Sequence, residues 1–437
     1  MADPAGSRRG PPAASAAHGR VMTGVPLSRL LVSRRSSFGF LRLTFAVLVV
    51  VDHAYPLGGF SGSPAEGIGV AGFFLISGFL VTRSWIGSPS VFRYLWHRVL
   101  RILPPFWACL MVTAFVFAPL SWHHEFGGFT GVFDVAGDGP LSYVRRNFFL
   151  QMNQYGISGL LLHTPFGAVS GGAWNGSMWT LIYEFRCYLI LAGLGMAGIL
   201  ARHRLIVVVL TVGLYLCTVS WLIDPTWAGR LLPQLSDVNT VRFTFMFFLG
   251  SMCVLYADRL LIDDRLGAAA LIVGVWSFTQ GGWLVVGYPA LSYCVIWLAM
   301  RLPFAGFNRP GDFSYGVYLY AFPIQMMLAQ RNVQQYGLVT FIVASVVLSV
   351  VAGILSWHLL EKHTRKLRNC PSIPRRTSRE HPHSLDGPAR PVPAPAEPSG
   401  VRPTGAQGLG RCTPPTCRRC VGPTVTDLRR RGFARPG

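Results

Sequence analysis

The chain has 437 residues, of which 51% are hydrophobic and only 13% are charged. Its apolar runs reach the roughly 20 residues that a helix needs to cross a bilayer, which excludes a soluble globular enzyme. The formal net charge of +21 would suggest nucleic acid in a soluble protein, but the arginines fall in the terminal arms and the loops, so we expect contact with anionic membrane lipid and no nucleic-acid partner.

Composition divides the chain into three parts. Residues 1–36 are rich in Gly, Pro, Ala, Ser and Arg and cannot bury a core, so we predict a disordered cytoplasmic arm. Residues 37–368 hold the hydrophobic segments and form the predicted membrane domain. Residues 369–437 are rich in Pro and Arg without periodicity, which predicts a disordered cytoplasmic tail.

The cysteines indicate neither a disulfide framework nor a metal centre. The nine cysteines are an odd number, and most of those in the membrane domain sit in apolar runs, where a thiol behaves as a small hydrophobe. Cys412, Cys417 and Cys420 resemble a ligand cluster but lack the second CxxC half of a zinc pattern. We therefore expect no metal site.

Ten hydrophobic segments predict an all-α integral membrane protein, a bundle of about ten transmembrane helices. They lie at residues 38–57, 67–86, 101–120, 177–200, 204–222, 240–257, 266–284, 286–301, 312–329 and 338–360. Basic residues concentrate in the loops on the side of the N-terminus and are sparse opposite, which predicts a multi-pass protein of the plasma membrane with both termini cytoplasmic. The long opposite segment, 121–176, is large enough to form a lid or a re-entrant piece.

The first hydrophobic segment contains Arg42 and His53, with ten residues between them. At 1.5 Å per residue they lie about 16 Å apart along a helix, so Arg42 is expected near the cytoplasmic headgroups and His53 in the outer half of the bilayer. Such groups are functional candidates by default, although a lone buried histidine can equally be a satisfied structural residue. Asp52 points about 100° away from His53 and need not touch the imidazole.

Two motifs near the second and third segments add polar groups. In GVAGFFLISGFLVTRSW, Gly78 allows close approach of another helix and Ser77 can hydrogen-bond across the contact, so packing alone would explain both. Arg98 and Arg101 are three residues apart and share one face of a helix end. Their forked donors can grip a phosphate-bearing ligand, or they can serve only as a topology anchor.

The fourth segment carries Glu184 in SMWTLIYEFRCYLIL. Glu184 lies about 10 Å below the outer end of its segment, a depth comparable to that of His53. The two side chains can therefore face each other in one layer. The alternative is a structural salt bridge between Glu184 and Arg186.

Taken together, these motifs resemble the membrane-bound acyltransferase family 3, ten-pass proteins that O-acylate glycans, lipopolysaccharide, peptidoglycan or antibiotic sugars. The matching pieces occur in family order over about residues 40–362: R-x10-H at 42–53, GVAGFFLISGF, RxxRILPP from Arg98, MWTLIYEF around Glu184, FSYGVYLYAFP at 313–323 and HLLEK at 358–362.

The resemblance implies roles for individual residues. It gives three catalytic candidates: His53 as base, Arg42 as its helix companion and Glu184 as a functional carboxylate. It places two residues at the acyl-donor end, Arg98 and Arg101. Three supporting candidates are Asp52, Ser77 and Tyr318. The implied donor substrate is acyl-CoA, with no bound cofactor, and the implied acceptor is a hydroxyl of a cell-surface glycan, a glycolipid or a glycosylated metabolite, with acetyl as the favoured acyl group.

Two other classes of protein remain open from the residues alone. Buried His, Glu and Arg in ten spans also suit a proton-coupled membrane transporter. A lipid-anchored scaffold would explain the charged arms but leave the intramembrane His and Glu without purpose. Transfer of label from acyl-CoA to a glycan favours the enzyme, whereas flux of substrate without covalent change favours the transporter.

Overall fold

The computed structural model describes residues 24–33, 36–64, 66–133, 137–224, 226–307 and 311–367. These residues are largely helical, with two short strands, β1 (Val25–Pro26) and β2 (Leu261–Ile262), that pair antiparallel. The predictions for the far N-terminal arm, the tail and the tail cysteines lie outside the described residues.

The described ranges contain seventeen α-helices. The first nine are α1 Leu27–Val32, α2 Phe38–Leu57, α3 Ile68–Gly87, α4 Val91–Val112, α5 Ala118–Phe126, α6 Pro140–Arg146, α7 Gly167–Ser170, α8 Thr180–Met196 and α9 Ile199–Arg202. The others are α10 Arg204–Ser220, α11 Trp227–Leu231, α12 Val238–Leu255, α13 Asp264–Thr279, α14 Tyr288–Arg301, α15 Ser314–Gln330, α16 Leu338–Ser356 and α17 Lys362–Lys366. Short π-helical turns at Thr113–Phe117, Trp283–Gly287 and Trp357–Glu361 and 3₁₀ turns at Pro233–Ser236 and Val333–Tyr336 join or extend them.

Every predicted hydrophobic segment falls on a helix, which confirms the all-α membrane fold. Within the described ranges, six helical stretches are long and apolar enough to cross a membrane: Phe38–Leu57, Ile68–Gly87, Val91–Phe126, Val238–Leu255, Trp283–Arg301 and Leu338–Lys366. The other four segments correspond to α8, α10, α13 and α15, which have 16 or 17 residues. At 1.5 Å per residue they are about 25 Å long, slightly short of a typical hydrocarbon core.

Residues 24–33 differ from the predicted disordered arm, because they form β1 and α1. Leu27 is fully buried, and its backbone N–H donates to the Leu260 carbonyl at 2.8 Å. The Arg83 guanidinium donates to the Leu31 carbonyl at 3.2 Å. The average composition of the arm conceals a short run of leucines, and that run buries enough apolar surface to dock on the bundle.

Helices α3 and α12 cross with their backbones in contact, as the sequence around Gly78 predicts. A Cβ at Gly78 would overlap the carbonyl oxygen of Phe247, and a Cβ at Gly250 would overlap the carbonyl oxygen of Leu75. Small residues at such crossings let helix backbones approach closely in membrane proteins. The crossing fixes α3, which carries Ser77, against the rest of the bundle.

Helix α15 is the central helix of the bundle. Fifteen of its 17 residues are buried, and it packs against α2, α4 and α16. Asp312, just before α15, pairs with Arg42 of α2, and Phe322 of α15 contacts His53 of α2. The two helices therefore run in the same direction. We call the end that holds Arg42 the arginine end, and the end that holds His53 the histidine end.

The predicted lid segment packs over the histidine end. The Gln330 amide, at the last residue of α15, donates to Glu125 Oε1 at 2.7 Å. Phe166 lies edge-on to Phe322 at 5.8 Å between ring centroids, and Phe322 lies edge-on to His53 at 5.4 Å. The segment therefore covers the end of the bundle at which His53 lies.

Candidate active site

Five helices, α2, α3, α4, α8 and α15, enclose a pocket of about 750 Å³, counting space open to solvent. Its lining includes six of the eight predicted site residues: Arg42, Ser77, Arg98, Arg101, Glu184 and Tyr318. The other two, Asp52 and His53, do not line it. We call this space the arginine pocket.

One carboxylate joins two of the three arginines. Asp312 Oδ2 lies 2.8 Å from Arg42 Nη2 and 3.0 Å from Arg101 Nη1. The Ser314 hydroxyl donates to Asp312 Oδ1 at 2.7 Å. The Asp312 side chain is only 10% exposed, so burial makes this pairing important for keeping both cations in place.

Arg98 has no ion pair among the described residues. Its guanidinium lies 5.8 Å from the centre of the Tyr188 ring, and its buried Nε has no hydrogen-bond partner there. Arg98 precedes the predicted third segment, 101–120, but α4 begins at Val91 and carries Arg98 inside the helix. Arg98 is therefore the pocket arginine best able to bind an anion.

Glu184 belongs to a hydrogen-bonded group inside the arginine pocket. Its Oε1 accepts from the Ser77 hydroxyl at 2.8 Å and from the Tyr188 hydroxyl at 2.5 Å. Tyr94 donates to the backbone carbonyl of Tyr188 at 3.1 Å. Glu184 thus ties α3 to α8 and holds the aromatic ring that faces Arg98.

Neither of the partners expected for Glu184 contacts it. Within the described ranges, no hydrogen bond or ion pair joins Glu184 to His53 or to Arg186. Residues two apart on a helix point about 200° apart, and Arg186 accordingly lies exposed on the other face of α8. The depth estimate was wrong: Asp52, next to His53, accepts from Gly67 at the start of α3, whereas Glu184 accepts from Ser77, ten residues or about 15 Å nearer the arginine end.

His53 lies against Phe322 at the histidine end. Its imidazole is partly exposed, while its Nδ1 is buried and has no hydrogen-bond partner among the described residues. Asp52 Oδ2 accepts from the backbone N–H of Gly67 at 3.5 Å, and no hydrogen bond joins Asp52 to the imidazole among the described residues. Asp52 therefore joins α2 to the start of α3, and the imidazole is free to act on a ligand.

Tyr318 lines the arginine pocket on the face of α15 that continues toward His53. Its hydroxyl donates to the Ser177 carbonyl at 2.5 Å and is also hydrogen-bonded to Thr180 Oγ1. Phe73 packs edge-on against its ring, with centroids 5.8 Å apart. Phe322, which touches His53, is one helical turn further along α15, so this face of α15 stands between the two predicted reaction centres.

Sequence reasoning missed two residues that organise the site. Asp312 directly precedes the FSYGVYLYAFP motif, and a carboxylate at the start of an apolar segment is itself a signal of a buried cation nearby. Tyr188 lies four residues after Glu184, the spacing at which side chains meet on a helix. Both could have been found from these positions.

The fold and the pocket define a membrane-embedded protein with a pocket lined by arginines at one end of its bundle and a histidine at the other. Residues 35–358 match the model of the family described as "Acyltransferase domain". The chain belongs to that family, as its motifs predict, and it is an enzyme that transfers acyl groups other than aminoacyl groups.

Two relatives match most of the chain. The protein named "O-acetyl transferase" of Shigella phage Sf6 is 26% identical over 349 residues, which cover 75% of this chain and 96% of the relative. "Nodulation protein 10" of Rhizobium leguminosarum bv. viciae is 28% identical over 376 residues, which cover 76% of this chain and 94% of the relative. No solved structure matches the chain at a significant level.

Proposed function

We propose that this membrane acyltransferase transfers an acyl group, with acetyl favoured, from acyl-CoA to a hydroxyl of a cell-surface glycan, a glycolipid or a glycosylated metabolite. The observation that carries the proposal is that α2 contributes a residue to each of two places. One is the pocket lined by three arginines, including Arg42, and the other is His53, whose Nδ1 has no hydrogen-bond partner among the described residues. The name of the phage relative supports acetyl. Membership of an acyltransferase family favours an enzyme over the transporter alternative.

The arginine pocket suits the phosphate-bearing part of the donor. It adjoins a second cavity of about 860 Å³, counting open space, and the two share Arg42, Arg98 and Arg101 in their linings. Arg365 lines the outer part of that cavity and adds a further cation. Guanidinium groups form strong, forked hydrogen bonds to phosphate, so the nucleotide end binds here while the thioester arm enters the pocket.

The chemistry belongs to His53 in this proposal. The neutral imidazole takes the proton of the acceptor hydroxyl as its oxygen attacks the thioester carbonyl carbon. The carbon–sulfur bond breaks, the ester forms, and the thiolate leaves and receives a proton to give the free thiol. In this proposal the arm approaches His53 along the face of α15 that carries Tyr318 and Phe322.

Glu184 then has a positioning role. It holds the hydroxyls of Ser77 and Tyr188, and the Tyr188 ring faces the Arg98 guanidinium. Glu184 keeps the donor pocket in shape, and Ser77 and Tyr188 are its supports. The ion pair between Arg42 and Asp312 fixes the position of α2 along the bundle. It therefore also fixes the depth at which His53 lies.

The arginine end faces the cytoplasm in this proposal, and the protein is a multi-pass protein of the plasma membrane with both termini cytoplasmic. The asymmetry of basic residues supports this orientation. Acyl-CoA is then bound from the cytoplasmic side, and the histidine end, beneath the lid segment, receives the acceptor.

The test is acyl transfer by the purified full-length chain. With radiolabelled acetyl-CoA and an extract of surface glycans as acceptor, label should appear in alkali-labile ester on the glycan.

His53→Gln should lower the rate by roughly 10²–10⁴-fold, the usual contribution of a general base, with unchanged expression and Tm. The matched control is His203→Gln, because His203 is exposed and lies between α9 and α10. Full activity in His53→Gln would contradict the mechanism, and uptake of substrate without ester formation would favour the transporter.

A further inference from the structure

A third cavity, separate from the two that share the arginines, lies on the opposite face of α8 from the arginine pocket. It has a volume of about 1210 Å³, counting open space, and runs between α8 and the start of α12. Its lining includes Tyr183, Arg186 and Ile190 of α8 and Asp237 and Thr240 at the start of α12. We call it the lateral groove. None of the residues given a role in the reaction lines it.

Arg186 brings a positive charge to the lateral groove. The described residues offer Arg186 no ion pair, and its guanidinium carbon lies 5.5 Å from the centre of the Tyr183 ring. A cation within a membrane helix is costly without an anionic partner. Arg186 lies about 9 Å from the first residue of α8, and helix side chains lean toward the N-terminus, so its guanidinium reaches toward the headgroup level at the histidine end.

The lining of the groove is amphipathic. Toward the C-terminal side of Arg186, Leu189 and Ile190 are 47% and 42% exposed and offer apolar surface. On the other wall, the Asp237 carboxylate already accepts from the backbone N–H of Asn239 at 3.0 Å and from the Thr240 hydroxyl at 2.9 Å. Asp237 therefore caps α12, and no ion pair joins it to Arg186 among the described residues.

We propose that the lateral groove binds the phosphate of an anionic lipid, with the phosphate on Arg186 and the aliphatic chains along Leu189 and Ile190. The chemistry required is a phosphate ester at the head of a long hydrocarbon chain. A glycerophospholipid and a polyprenyl phosphate both have it. Because α8 separates the groove from the arginine pocket, lipid binding is a property of the protein distinct from binding of the acyl donor.

The experiment titrates lipids onto the detergent-purified full chain and counts bound molecules by native mass spectrometry. The probes are phosphatidylglycerol, a long-chain polyprenyl phosphate and, as the zwitterionic control, phosphatidylcholine. Arg186→Gln should weaken binding of the anionic probes by about tenfold or more, the effect of losing one charge-assisted phosphate contact. Arg186→Lys, which keeps the charge, should retain most of the binding. The matched control is Arg230→Gln, an exposed arginine that pairs with Asp224 outside the groove.

The outcomes separate the sources of the ligand. Tighter binding of polyprenyl phosphate than of phosphatidylglycerol identifies a carrier-lipid site, and equal binding identifies a site for anionic phospholipid in general. Equal losses in Arg186→Gln and Arg230→Gln, or phosphatidylcholine binding as tight as that of the anionic probes, would overturn the proposal. Acyl transfer is not measured, so the result does not depend on the proposed function.

Discussion

Asp312 decides whether the arginine end of the pocket holds together. Its single carboxylate lies within 3.0 Å of guanidinium nitrogens from both Arg42 and Arg101. Removing it would take away the anion that these two largely buried cations share. Breaking a buried pair by deleting one partner typically costs 3–5 kcal/mol, far more than the pair itself contributes.

We expect Asp312→Ala to destabilise the protein by about 3 kcal/mol and to lower its Tm in detergent by several degrees. The control is Asp264→Ala, because Asp264 pairs with Arg301 at 2.6 Å but is 67% exposed. Exposed pairs add little to stability, so the Tm of that variant should stay close to the wild-type value. Similar Tm values for both variants would show that Asp312 is not a structural anchor.

We predict that Arg98 binds the acyl donor and contributes little to folding stability, because no carboxylate pairs with it among the described residues. Arg98→Gln should raise the KM for acetyl-CoA by roughly tenfold, the value of one charge-assisted phosphate contact, and leave Tm nearly unchanged. An acetyl-pantetheine thioester without the nucleotide phosphates provides the control. Its KM should be the same in wild type and Arg98→Gln, and an equal rise for both donors would place Arg98 away from the phosphates.

At the residue scale, the sequence predicts spacing within one helix but not the relative depth of residues on two helices. The spacing of Arg42 and His53 gives their separation along one helix, because the rise per residue is fixed. The depth of Glu184 was counted from the predicted outer end of its segment, yet Glu184 bonds Ser77 and Tyr188 near the arginine end. The level at which α8 packs beside α2 and α3 depends on tertiary contacts, and no local pattern in the sequence encodes it.

At the scale of the element, α8 is a partition between two cavities. Glu184 faces the arginine pocket and Arg186 faces the lateral groove, two residues further along. This arrangement explains why one 17-residue helix carries both charges without a salt bridge between them. Each charge is matched to its own cavity and not to its neighbour.

The position of Glu184 yields a prediction about kinetics. Glu184→Gln should raise the KM for acetyl-CoA by about tenfold, because it weakens the hydrogen bonds that hold Tyr188 beside Arg98. The pH dependence of kcat should remain that of wild type, since Glu184 does not touch His53. Tyr188→Phe, which removes only the hydroxyl, should show the same pattern with a smaller rise. A changed pH profile with normal KM would restore Glu184 as the partner of His53.

Hydropathy predicted the helices of the bundle well where their sequences are continuously apolar. It failed for helical turns that contain charged or polar residues. The first segment, 38–57, coincides with α2, because a continuous apolar run marks both of its ends. Helix α4 begins at Val91, ten residues before the predicted segment, since its first turns carry Arg93 and Arg98 and lower the average. The docking of α1 was missed for the same reason.

At the scale of the whole molecule, the two reaction centres lie at opposite ends of α2 and α15. The arginine end opens through the cavity near Arg365, and the lid segment covers the histidine end through Phe166. Such an arrangement lets donor and acceptor arrive from different sides of the bilayer. The sequence predicted the two ends, but not the hydrogen bonds from Tyr318 of α15 to Ser177 and Thr180 that lie between them.

The orientation of the bundle can be tested by cysteine labelling. Tyr336, 70% exposed between α15 and α16, marks the histidine end, and Val32, 80% exposed at the end of α1, marks the arginine end. Because basic loops stay in the cytoplasm, a membrane-impermeant maleimide should label Tyr336→Cys in intact cells and Val32→Cys only after permeabilisation. The unsubstituted chain gives the background from the native cysteines. Labelling of Val32→Cys but not Tyr336→Cys in intact cells would invert the topology and place donor binding outside the cell, where acyl-CoA could not serve as the donor.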